Sequence, residues 1–275
     1  MRHFVFLLFG LIAFPCAASA EVNVFACEPE WGALAKEIGG EKAAVQVATT
    51  AQQDPHHVRA KPSLLAAMRK ADLVICSGAG LEVGWLPVLL QKSGSPQVQS
   101  GQSGNLMAAD YVTRLEVPTK IDRSEGDIHP EGNPHVHLNP HNIALVAVEL
   151  AKRLEMVDNA NAATYKSRYA DFAKRWDSAI KRWEAQARNL RGIPVITHHR
   201  SLTYLLDWLG MTEAGTLEAK PGIPPSTSHL EALLVQQRAK PARVILRTPY
   251  ESADASTWLA EKTNMPALVL PYTIE

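Results

Sequence analysis

Between Tyr165 and Leu190 the residues Tyr165, Tyr169, Phe172, Trp176, Ile180, Trp183, Ala187 and Leu190 recur every three or four positions without a break. That spacing is the period of an α-helix with one apolar stripe, and Lys and Arg fill the opposite face. Asp158 or Asn159 can start the helix, and Gly192 followed by Pro194 ends it. A helix of roughly 30 residues is about 45 Å long and outspans a small domain. The stripe therefore predicts a packed spine joining two lobes.

On either side of the spine, short apolar runs alternate with helical segments. Residues 22–27, 45–49 and 73–77 read as strands, and 30–38 and 63–70 as helices, the first stopped by Gly39 and Gly40. Beyond the spine, 193–197, 244–247 and 267–270 read as strands, with helices over 202–209, 228–237 and from about Ala255. Such alternation predicts mainly parallel sheets flanked by helices. The fold class is α/β, with an N-terminal lobe over 21–157, a linker helix over 158–191 and a C-terminal lobe over 192–275. Ligands of such sheets bind outside the carboxyl ends of the strands. Residues 91–105 and 118–140 read as loops. The second is long for a compact domain and rich in histidine, which points to function.

The chain starts with Met1, Arg2 and His3, continues through an apolar run from Phe4 to Phe14, and reaches small residues ending at Ala20. This is the pattern of a cleavable secretory signal over 1–20, and it predicts a periplasmic protein starting at Glu21. Phe14 and Pro15 are poor neighbours for lipid attachment at Cys16, so a lipoprotein is not expected. Lys plus Arg and Asp plus Glu both number 28. The balance gives no basic surface for nucleic acid. Cys27 and Cys76 end two apolar runs. An oxidising compartment permits a disulfide between them. Adjacent parallel strands seldom offer bridging geometry, however, so two unpaired buried side chains are the expectation.

Ten histidines remain to be explained, and most fall in three short stretches: QDPHH at His56 and His57, HPEGNPHVHLNPH from His129 to His141, and ITHHR at His198 and His199. Neutral imidazole suits zinc and its neighbours. Three distant, turn-rich segments each offering an imidazole predict one metal site assembled from several loops.

These segments, in this order and around a long helix, resemble the zinc/manganese-type solute-binding proteins of bacterial ABC importers. The resemblance rests on Asp54-Pro55-His56 followed by Pro62-Ser63, on NPHVHLNP from Asn133 and on HRSLTYL from His199. It implies a monomeric receptor, with no enzymatic activity, that holds one divalent metal ion between two lobes and delivers it to a membrane permease. Matched position by position, it implies metal ligands at His56, His135 and His199, a set that suits Zn(II) better than Mn(II). His57, His137 and His198 then flank the ligands. The resemblance also implies a fourth ligand, an aspartate after the last strand, where this chain reads LVLPYTIE with Pro271 and Tyr272. Glu218, His129, His137 or a water are the substitutes considered. The resemblance further implies a final loop and helix after that strand, whereas this sequence reads only to Glu275; either the chain is naturally short or its second lobe lacks a covering element. A secreted zinc-dependent hydrolase with an open coordination position is the alternative, and a receptor for a metal chelate is a third reading.

Overall fold

Two four-stranded sheets, each wholly parallel, organise the computed structural model, which describes residues 21–120, 126 and 129–274. The first contains β1 (Val22–Ala26), β2 (Ala43–Val47), β3 (Leu73–Cys76) and β4 (Asn105–Met107), in the order β2-β1-β3-β4. The second repeats the pattern as β6-β5-β7-β8, with β5 (Pro194–Thr197), β6 (Thr212–Thr216), β7 (Val244–Arg247) and β8 (Ala267–Val269). In each sheet the strand order reverses beside the first strand, which opens a crevice at the carboxyl ends.

The inner strands β1, β3, β5 and β7 read as largely apolar runs because helices cover both faces. All four residues of β3 are buried. On one side of the first sheet, Trp31 and Ile38 of α1 (Pro29–Gly39) pack with Val146 and Leu150 of α4 (Pro140–Val157). On the other side, Met68 of α2 (Pro62–Lys70) meets Leu89 of α3 (Leu86–Ser93). The second sheet carries α6 (Thr203–Leu209), α7 (Thr227–Ala239) and α8 (Asp254–Thr263).

The spine is α5 (Ala162–Gln186), extended at both ends by single 3-10 turns over Asn159–Asn161 and Ala187–Leu190. It packs along α4, an 18-residue helix absent from the sequence expectations. Its apolar stripe (Ile143, Val146, Ala147, Leu150, Leu154) is regular, but it begins directly at Pro140, where the histidine-rich loop ends. Trp176 is fixed at the junction by donating from Nε1 to the Pro140 carbonyl at 2.8 Å. Trp183 is about one-third exposed, at 36%. With Phe172, Trp176, Trp208 and the tail at Pro271 it lines an apolar groove of about 830 Å³ between spine and tail. Among the described residues, the sets of three or more converging metal-donor atoms lie elsewhere.

Contrary to expectation, Cys27 and Cys76 form a disulfide. Cys27 lies just past β1 yet keeps the ladder with β3, its N–H donating to the Ile75 carbonyl at 2.9 Å. The two Cα atoms are thereby 4.8 Å apart, within bridging range, with both side chains in the core shared with α2 and α3.

Beside the disulfide, two buried carboxyl groups hold the turn after β3. Glu82 accepts from the Ser77 N–H at 2.8 Å and the Gly78 N–H at 3.1 Å, and Glu28 accepts from the Ser77 hydroxyl at 3.2 Å. Gly78 is required there: its φ is +77°, and a Cβ would lie 2.9 Å from that of Met107. Burial raises Glu82 to about 7, despite the opposing effect of its hydrogen bonds to Glu28, Ser77 and Gly78. Burial and the facing Glu82 charge also raise Glu28. A carboxyl whose pKa is raised on folding stabilises below its unfolded value near 4.5 and loses that contribution as pH rises towards 7. The metal-free protein is therefore expected to lose roughly 1 kcal/mol per pH unit across that window from this pair. Glu82→Gln should flatten the slope in urea titrations at several pH values. A slope unchanged by the substitution would remove Glu82 as its source.

Candidate metal centre

Each imidazole at the crevice is presented by a loop at a strand's carboxyl end or at a helix start. His56 follows β2 in a 3-10 turn (Pro55–His57), capped by Asp54, which accepts from the His56 N–H at 2.9 Å. His135 precedes α4, its N–H donating to Asn133 Oδ1 at 3.0 Å. Asn133 also donates from Nδ2 to the Arg200 carbonyl at 2.8 Å, across the lobes. His199 follows β5, so both crevices face one another. Tyr204 of α6 closes the same junction by donating to the Asn133 carbonyl at 2.8 Å.

The structure brings His56, His129, His135 and His199 together. Ring centroids of His56 lie 5.3 Å from those of His129 and His135 and 5.6 Å from that of His199; His135 and His199 are 5.7 Å apart. One donor atom from each of His56, His129 and His135 falls within 4.8 Å of the others. His56 Nε2 and His129 Nε2 are separated by 3.2 Å. A tetrahedral zinc ion with bonds of ~2.0–2.1 Å spans donors a little over 3 Å apart.

The opposite ring nitrogens are already engaged. His56 Nδ1 is 2.7 Å from Asp54 Oδ1, His199 Nδ1 is 2.8 Å from Glu218 Oε2, and His135 Nδ1 is 2.6 Å from the Tyr272 hydroxyl. The His129 ring is bonded to the backbone of Ala79. For His56, His135 and His199, holding Nδ1 this way fixes the ring orientation and leaves Nε2 as the available donor atom. His135 Nε2 is buried and has no hydrogen-bond partner.

Electrostatics separates the four. Burial, with the neighbouring His56 and His199 charges, pushes His129 down to about 3. Burial and the same neighbours push His135 well below the ordinary imidazole range. For His199 burial also lowers the pKa, but the hydrogen bond and charge of Glu218 outweigh it and the net shift is upward.

Other residues singled out in the sequence stand apart. Glu218 sits behind His199, where it also accepts from the Gly222 N–H at 2.9 Å. His137 turns from the cluster: its Nδ1 is 3.2 Å from Glu30 and its Nε2 donates to the Tyr272 carbonyl at 2.9 Å. His57 is exposed, with 69% of its side chain open. His198 is buried, with Nε2 3.8 Å from Glu218. Sequence reasoning missed the roles of Asp54 and Tyr272. Asp54 was findable, because Asp-Pro-His places a carboxylate two residues before a ligand candidate. Tyr272 had no signal, since its partner is 137 positions away. The crevice itself, a cavity of about 140 Å³, is bordered by Asp54, His56, His199, Glu218, Tyr250 and Glu251.

Comparison with known proteins addresses the fold and the family. The chain's fold is that of a solved protein described as ZnuA, with a TM-score of 0.77, 21% identity and 92% of each chain covered. It is 25% identical over 177 residues to the metal ABC transporter substrate-binding lipoprotein ScbA of Streptococcus cristatus, covering 63% of this chain and 54% of that protein. Here the chain spans about half of its relative's length. It is 22% identical over 284 residues to the manganese ABC transporter substrate-binding lipoprotein PsaA of Streptococcus pneumoniae, covering 98% and 87%. These relatives are named lipoproteins, which overturns the expectation against a lipid anchor; residues 1–20, with Cys16, lie outside the described residues. The model of the ZnuA family, described as zinc-uptake complex component A, periplasmic, matches residues 24–273. The chain belongs to that family.

Proposed function

We propose that the chain captures a divalent transition metal, zinc before manganese, in the crevice between its lobes and delivers it to an ABC permease. The observation that carries this reading is the arrangement of His56, His129, His135 and His199, with His135 Nε2 buried and unpartnered. The donors in this reading are those four imidazoles, with His129 in the fourth place and Glu218 serving His199. An all-nitrogen donor set favours zinc, whereas manganese prefers carboxylate and carbonyl oxygen. The family description names zinc, and PsaA is named for manganese; the all-nitrogen donor set supports the zinc reading.

Nothing in the comparisons supports the hydrolase alternative. A hydrolase needs a free carboxylate as base; Glu218 is engaged with His199 and Gly222, and Glu131, in the histidine-rich loop, with Arg114 at 3.0 Å. We read the site as one that binds and releases its metal as a monomer, without turning over a substrate.

Calorimetric titration of metal-stripped protein with zinc and then manganese tests the reading. One tight zinc site with manganese far weaker is expected. No tight site for either metal would remove it. The same titration across about pH 5 to 8 has a defined sign. His199, raised by Glu218, takes up a proton as pH falls, so zinc affinity should fall towards the acid end. His129 and His135 are pushed towards the neutral form by burial and neighbouring charge, so they compete with protons less than His199 does. The slope of log affinity against pH should therefore stay well below one proton per imidazole. A slope near four would contradict the assignment.

A further inference from the structure

We propose that Tyr272 is a positioning residue for His135 and the element through which the second lobe controls the first lobe's share of the metal site. The inference rests on the metal-capture reading above and concerns how that site is held.

His56 takes its Nδ1 partner, Asp54, from its own lobe, and His199 takes Glu218 from its own; His129 lies beside the Ala79 backbone of the same lobe as His56. His135 is the exception among the four. Its partner comes from the segment after β8, at 2.6 Å from the Tyr272 hydroxyl. Tyr272 is only 3% exposed, and its ring stands edge-on to His135 and His137, with centroids at 5.7 and 4.7 Å. The same two-residue strap reaches the first lobe twice more. The Tyr272 carbonyl accepts from His137 Nε2 at 2.9 Å, and the Thr273 hydroxyl donates to Glu30.

A metal ion on Nε2 requires the His135 proton to be on Nδ1, where it donates to the Tyr272 oxygen. A hydroxyl can accept that bond, or donate to the same nitrogen by turning its own hydrogen. Tyr272 thus accommodates His135 before and after metal arrives, and it fixes the ring only while the lobes are docked. Separation of the lobes removes the partner and frees the His135 ring to turn, which couples release of the metal to opening.

The test compares zinc affinity of the wild-type protein with Tyr272→Phe and with Tyr165→Phe. The last removes a buried hydroxyl bonded to Asp158, remote from the imidazoles. Loss of a ligand's outer partner costs about 10- to 100-fold in affinity. That loss is expected for Tyr272→Phe, against a change within about twofold for Tyr165→Phe. Long-range proton–nitrogen NMR of the zinc-bound protein supplies a readout that general destabilisation does not move. The exchange-protected Nδ1–H assigned to His135 should be present in the wild type and absent from Tyr272→Phe, while those of His56 and His199 persist in both. Tight zinc binding unaltered by Tyr272→Phe overturns the inference and leaves the receptor reading standing. No tight zinc site in the wild type takes both down, receptor reading first. If Tyr272→Phe fails to fold, the wild-type resonance decides, and its absence overturns the proposal.

Discussion

Replacing His135 with alanine is expected to weaken zinc binding by on the order of 100- to 1000-fold, while His141→Ala and His229→Ala leave it within about twofold. The estimate divides a four-ligand site's apparent ~10–16 kcal/mol among four donors. His135 offers a buried nitrogen with no competing partner, so its loss removes a donor that nothing nearby replaces. His141 is at the surface against Glu184, and His229 Nε2 bonds the Thr216 carbonyl. His129→Ala should match His135→Ala. Glu218→Gln, which only loosens the support of His199, should cost nearer tenfold. Calorimetry of the five variants orders them. A uniform loss would mean diffuse binding by histidines, and a Glu218 effect as large as that of His135 would make Glu218 a ligand.

The second large effect concerns stability. Cys27 and Cys76 enclose a loop defined by a sequence separation of 49. Chain-entropy arguments give about 4 kcal/mol for closing a loop of that size in the unfolded state. Cys27→Ala with Cys76→Ala should accordingly lower the melting temperature by roughly 8–16 °C, at about 2–4 °C per kcal/mol for a chain of this length. Zinc affinity should change far less, because neither sulfur is near the imidazoles' donor atoms. Calorimetric melts of both proteins without metal would measure the shift. A decrease of only a degree or two would show that the reduced pair packs as well as the bridged one.

Local pattern accounts for much of the fold. The stripe from Tyr165 to Leu190 is visible because a helix imposes one short period on consecutive residues, and the observed helix with its two flanking turns covers Asn159–Leu190. Strands β1, β3, β5 and β7 stand out because burial on both faces demands largely apolar runs. Strands β4 and β6 do not, being three residues of NLM and a TEAGT stretch with polar and glycine positions. The edge strand β8 was legible although all three of its residues are exposed, since its apolar run survives there. The pairing of Cys27 with Cys76 was misjudged because ladder register, invisible in one strand, decides the distance between sulfurs.

At the site, the sequence by itself determined which side chains could bind metal: imidazoles clustered at turns, next to Asp-Pro and Asn-Pro, carry their chemistry wherever the chain places them. It also determined that two parallel-sheet lobes would be joined by a helix. Only the tertiary structure decided which imidazoles meet. His135 and His137 are two residues apart, yet one faces His56 and the other Glu30, because a short 3-10 turn (Val136–Leu138) separates their directions. His129 joins the group through a bond to Ala79, and Tyr272 comes from the far end of the chain to hold His135. Such contacts depend on packing between distant segments, and no local period or motif encodes them.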